Sequence, residues 1–234
     1  TLDIGETTAV FYNNNYRLYS SELAKVKAQG GDDAMIDQLP VISGKYFPKN
    51  DLQIVVGSPD KGEYIYYKQV LNSGLKYVDA LPVIEWQLTD STKTICEYEC
   101  KQAVGSVYGR TWTVWYSIEL PLNYGPYILN GLPGLIMAAR DSEGLFDFKA
   151  VGVENAPENA LVSVYKEDSH QKCTRKRFLQ LRSESEGINK DQLVDRILSQ
   201  RTPGEKVIVY TVSGTDAKID NEVEVPKYNH LDKE

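Results

Sequence analysis

The chain has 234 residues, 41% hydrophobic and 25% charged, with 26 basic against 33 acidic side chains and a net charge of −7. A chain of that length buries a sizeable core without needing a metal or disulfide to fold, and no low-complexity tract interrupts it. The acidic balance excludes a general nucleic-acid binder, whose field must attract phosphates, and no apolar run approaches the ~18 residues of a membrane-spanning helix.

No signal-like segment opens the chain and its first residue is Thr1, so its start is no argument for the cytoplasm. There are 16 tyrosines and only 5 phenylalanines. Tyrosine joins an apolar body to a polar tip, which suits the half-exposed positions of a curved sheet.

In chain order, Val10–Tyr12 run into the turn signal Asn13-Asn14-Asn15. Ser20 or Ser21 is placed to cap a helix over Glu22–Gln29, with Leu23 and Val26 on one face. Residues 30–51 carry Gly30-Gly31, Pro40, Gly44 and Pro48 without any period, and read as a loop. From Leu52 the period becomes two. Leu52–Val56 and Tyr64–Lys68 flank Ser58–Gly62 as a hairpin, and Asn72-Ser73-Gly74 turns the chain again. Ile84, Trp86 and Leu88 alternate with polar residues as a strand, Thr89–Thr92 form a turn, and Lys93–Ala103 is the next strand. Tyr108–Leu120 is the longest strand candidate, with Trp112, Val114, Tyr116 and Ile118 on one face and Thr111, Thr113, Trp115 and Ser117 on the other. Leu135–Arg140 and Leu145–Val153 make a hairpin around Asp141–Gly144, and Leu161–Tyr165 is a further strand. Helices are expected over Thr174–Ser185 and over Asn189–Gln200, which opens with the capping pair Asn189 and Gln192. Val207–Val212 reads as a late strand, followed by a charged, loose end from Asp216.

The sum is one domain over residues 1–234: an antiparallel meander at about 52–166, a helical segment at about 174–200 and a strand at 207–212. The expected fold is mainly β (α+β), a curved antiparallel sheet or open barrel carrying one to three helices, with a β-sandwich as the alternative.

One stretch stands apart. Gly125 to Ile136 holds three glycines and two prolines among large aliphatics. It is too apolar for a solvated loop and too rich in Gly and Pro for a central strand. It should pack against the sheet as a bulged corner or as the lip of a cavity. Its last six residues read Gly131-Leu132-Pro133-Gly134-Leu135-Ile136. With Ile84-Glu85-Trp86, Thr92-Lys93-Thr94-Ile95, Cys100-Lys101-Gln102-Ala103, the run Gly109-Arg110-Thr111-Trp112-Thr113-Val114-Trp115-Tyr116 and Gly125-Pro126-Tyr127, this pattern resembles the GLPGLI proteins, mostly exported proteins of Bacteroidetes-type bacteria. The resemblance covers about residues 75–155, with weaker likeness at 3–22. Glu97 stands where that family usually has glycine, and Tyr127 where tryptophan is common. The resemblance implies a β-rich fold and export to the periplasm or outer-membrane surface. It implies no catalytic residue.

Other constellations are weak. Cys96 and Cys100 on one strand would lie ~13 Å apart, beyond the ~7 Å reach of a disulfide, so at most one bonds to Cys173; three buried thiols are an equal reading. A metal site from these thiols is disfavoured, because that spacing does not converge ligands. Only His170 and His230 exist, both in polar segments expected to be exposed, and no nucleophile-elbow, zinc or phosphate-loop motif occurs. Glu119, Asp147 and Glu154 have no spacing that singles them out as a hydrolytic pair. Lys172–Arg177 with Arg182 is the one basic run, and a solvated helix face balanced by Glu184 and Glu186 accounts for it. Trp86 and Trp112 read as core. Trp115 falls on the opposite face, so Arg110, Trp115 and Tyr127 are the ligand-binding candidates, beside a structural motif of Gly125, Pro126 and Gly131–Ile136.

No catalytic residue, metal or cofactor is expected. The functional expectation is an exported protein that binds or carries an apolar or envelope-derived ligand in the concavity of its sheet. The alternative is an interaction or accessory protein of an outer-membrane or surface assembly without a pocket. An apolar small molecule or an envelope protein is the expected partner.

Overall fold

The structure is a computed structural model describing residues 1–46, 51–57, 62–70, 73–157 and 160–186. The expected helix at Asn189–Gln200, the strand at Val207–Val212, the tail from Asp216, His230 and the turn residues 58–61 and 72 lie outside the described residues.

Among the described residues, eleven strands form two open sheets, and the fold is mainly β with two helices. The first sheet has the order β1-β2-β3-β4-β5-β11, from Leu2–Ile4, Thr8–Tyr12, Gln53–Gly57, Glu63–Val70, Ser73–Ala80 and His170–Lys172. The second has the order β10-β9-β8-β7-β6, from Asp147–Lys149, Leu135–Asp141, Arg110–Ser117, Tyr98–Val107 and Gln87–Ile95. All pairings are antiparallel except β11 on β5. The expected meander therefore divides into two layers at Leu81–Trp86, where the chain has no regular secondary structure.

The two layers share one core. Ile54, Val56, Tyr64, Tyr66 and Tyr77 of the first sheet belong to the same buried cluster as Ala103, Trp112, Val114 and Ile136 of the second. Phe11 meets Phe148 edge-on across the layers, with ring centroids 5.5 Å apart, and the hydroxyls of Tyr64 and Tyr108 lie 3.3 Å apart. Helix α2, Arg175–Glu186, joins both sheets. Its Phe178 is fully buried against Tyr66 and Tyr77, while its Arg175 pairs with Asp79 and lies over the Tyr108 ring.

The other face of the first sheet is met by a strap over residues 160–169, which leads into β11. Gln53, wholly buried, donates its amide to the Tyr165 carbonyl at 2.9 Å and accepts the Tyr165 N–H at 2.8 Å. Tyr67 donates to Glu167 at 2.9 Å, and burial pushes its phenol pKa upward. His170, expected exposed, is buried instead, because β11 docks on β5 and brings the ring edge-on to Tyr67. The segment Leu161–Tyr165, expected as a strand, pairs with no strand; its polar backbone is met by Gln53 and Arg17.

Several local expectations change. The predicted loop at 30–51 is helical as far as Tyr46. Helix α1 runs Asn14–Tyr46 and is broken into two helical stretches at Gly31, where φ is +74°; Pro40 lies inside the second stretch. The predicted turn at Thr89–Thr92 is a register shift within β6, and Leu88 is exposed. The predicted strand Lys93–Ala103 is broken at Cys96-Glu97, both at positive φ (49° and 70°), which close the β6–β7 hairpin as a two-residue turn. The strand predicted through Leu120 stops at Ser117, leaving Ile118 exposed.

Candidate functional site

The segment between β8 and β9 is held by close backbone approaches. A Cβ on Gly134 would stand 2.0 Å from the Ser117 carbonyl oxygen, so only glycine fits where the hexapeptide crosses the end of β8. Leu132, Leu135 and Ile136 are buried, whereas Gly131 and Pro133 face solvent. Leu135 donates its N–H to Leu120, and Ile136 to Tyr124. Trp86 lies over Gly105 of β7, and its indole donates to the Asn130 carbonyl at 2.7 Å. The residues Ile84-Glu85-Trp86 are thus stapled to the corner that ends in the hexapeptide.

The three ligand-binding candidates do not converge. Arg110 is 4% exposed and donates to Asp141 at 2.7 Å and to Glu143 at 3.2 Å, closing the β8–β9 end of the sheet. Burial raises the pKa of the Asp141 carboxyl; the Phe146 N–H and the Arg110 guanidinium outweigh it and hold that pKa below its usual value. Tyr127 is 1% exposed, deep in the core, with φ at +61°. Trp115 sits half-buried on the outer face of the second sheet. The Lys93 ammonium lies 4.0 Å from its ring centroid, and burial followed by the Lys149 charge lowers the Lys93 pKa. Strand alternation explains the separation of Arg110 and Trp115: they stand five residues apart on one strand and point to opposite faces.

A cleft of about 230 Å³ opens instead at the junction of the two sheets. Val56 and Gly57 at the end of β3, Gly62, the Leu81–Ile84 connection and Asn123, Tyr124, Asn130 and Gly131 line it. None of these described lining residues is charged. Tyr124 is 8% exposed, burial raises its pKa, and its hydroxyl has no hydrogen-bond partner among the described residues. The Asn123 side-chain oxygen accepts the Gly131 N–H, and the Asn130 amide donates to the Ile128 and Pro82 carbonyls. The cleft thus touches the first residue of the hexapeptide while missing Arg110, Trp115 and Tyr127. In the sequence Leu81-Pro82-Val83 reads as ordinary strand flank; the signal for its walls is Pro82 inside an apolar run, which marks unpaired extended chain.

All three cysteines are free thiols. Cys100 is buried, and burial raises its pKa; Cys96, at the hairpin turn, donates to the Ala150 carbonyl. Among the described residues no three His, Cys, Asp or Glu side chains gather to hold a metal ion, and no helix is long and apolar enough to cross a membrane.

No protein-family model matches the chain, and no curated protein matches it. Among solved structures, that of PNGF-II in space group C2 aligns over 79% of this chain with a TM-score of 0.51 and 17% identity. PNGF-II in space group P21 aligns over the same share with a TM-score of 0.48 and 16% identity. The aligned part spans 29% of the PNGF-II chain. At this identity the likeness is one of fold.

Proposed function

We propose that this chain is an exported recognition module that engages a partner through the cleft between the Leu81–Ile84 connection and Gly131. The observation that carries the reading is the cleft itself: it lies where two sheets meet, its described walls are uncharged, and the Tyr124 hydroxyl on its lining has no hydrogen-bond partner among the described residues. Interaction is favoured over carriage of a bulky apolar ligand, because Trp112, Tyr64, Tyr77 and Tyr127 fill the space between the sheets. The cleft is smaller than the roughly 300–1,000 Å³ of drug-sized ligand pockets. Export rests on the resemblance to GLPGLI proteins. The PNGF-II likeness adds that a fold of this kind occurs within a longer chain, as a module would.

A photo-crosslinker at position 83, whose side chain is 94% exposed at the rim, should give a discrete adduct with an envelope fraction of the source cells. The same group at position 151, 98% exposed beyond the opposite edge strand β10, should not. Equal crosslinking from both positions would count against the cleft. The cleft is also the place where a small apolar ligand would ride, and native mass spectrometry of freshly purified protein detects such a passenger as a stoichiometric added mass.

A further inference from the structure

We infer that the occupant of the cleft is an extended, uncharged polypeptide segment that lies along Leu81–Trp86 and places one aliphatic side chain against Val56, Leu81 and Tyr124. The inference rests on the cleft being the recognition site and adds the class of partner.

Three observations carry it. The backbone of Val83, Ile84 and Glu85 makes no hydrogen bond among the described residues, although Ile84 is buried and the segment is joined directly to edge strand β6. Such an unpaired stretch is a template for an added strand. The adjoining part of the edge is blunted: β6 carries the register shift between Leu88 and Thr92, together with Asp90 and Lys93. Pairing is therefore directed to the unblunted stretch, which borders the cleft. The polar groups at the cleft also suit a peptide. Tyr124 and the Asn123 amide nitrogen can donate to carbonyl oxygens, and no described lining residue carries a charge that would demand a charged partner.

The probe is a blocked hexapeptide of alternating threonine and valine, compared with the same peptide N-methylated at alternate residues. Amide hydrogen exchange, read by NMR on the whole chain, should slow about tenfold or more at one or more of Val83, Ile84 and Glu85 with the first peptide, and not with the second. Val83→Pro removes one amide of the unpaired stretch at a rim side chain that is 94% exposed, and should reduce the protection at Ile84 and Glu85 without altering the far-ultraviolet spectrum. Unchanged exchange at residues 81–86 with saturating peptide would overturn the inference, as would equal protection by the N-methylated peptide. Unchanged exchange together with site-selective crosslinking at position 83 would remove the peptide and leave the recognition site standing. Failure of the crosslinking contrast would remove the site itself.

Discussion

At the scale of single residues, the sites with least freedom are turns and close approaches. Glu97 occupies φ +70° in the β6–β7 turn, a conformation that costs a side-chain-bearing residue roughly 1 kcal/mol or more. Glu97→Gly should therefore raise stability by roughly 0.5 to 1 kcal/mol in denaturant unfolding, after the extra freedom glycine gives the unfolded chain is counted. Gly134→Ala should do the reverse, because Cβ would collide with the Ser117 backbone rather than with a movable side chain; a loss of about 3 kcal/mol or failure to fold is expected. Arg110→Ala strands the buried Asp141 carboxylate and should cost about 3 to 5 kcal/mol. The pH dependence of that pair follows from its sign. The folded pKa of Asp141 lies below the unfolded value near ~4, so its stabilisation is present above about pH 4 and is lost as pH falls through the lower folded value. Stability measured from pH 5 downward should fall less steeply in Asp141→Asn than in the parent; equal slopes would refute this account.

At the scale of elements, α2 and the strap are held by few contacts of high quality. Phe178 is its helix's one fully buried side chain among the described residues, and Phe178→Ala should cost about 3 to 5 kcal/mol. Gln53→Leu removes both side-chain bonds to Tyr165, and limited proteolysis should then cut within residues 160–166 before any other described segment. Much of this level was legible beforehand. Alternation located the hairpins at β3–β4 and β9–β10, placed Trp112, Val114 and Tyr116 inside, and found α2 to within a residue of its start. What stayed hidden was non-local. Gly30-Gly31 and Pro40 resemble loop residues, yet the backbone leaves helical geometry only at Gly31 and Pro40 is held inside a helical stretch. His170 looks exposed until β11 finds β5, a partner nearly a hundred residues earlier. At the candidate site, sequence pattern marked the hexapeptide but not the cleft, because a cleft belongs to surfaces from distant segments, here Val56, Gly57 and Gly62, the Leu81–Ile84 connection, and Asn123, Tyr124, Asn130 and Gly131.

At the scale of the whole molecule, one core spans both layers, so they should unfold together. The three tryptophans all lie with the second sheet: Trp112 and Trp115 on β8 and Trp86 over Gly105 of β7. The first sheet is packed with tyrosines instead. Tryptophan fluorescence thus reports one layer, while far-ultraviolet dichroism reports both. Coincident thermal transitions are expected, and separate midpoints would show the layers to be independent units. The strand order has a further consequence, in time rather than in space. The second sheet is built wholly from neighbours in sequence, so it can zip together as soon as residues 87–149 are free of the ribosome or a translocation pore. The first sheet cannot: its last strand and its Phe178 plug are synthesised after everything they cover. Until residue 178 emerges, Tyr66 and Tyr77 lack the ring that seals them, and a nascent chain halted just short of it should bind chaperones that the finished protein does not.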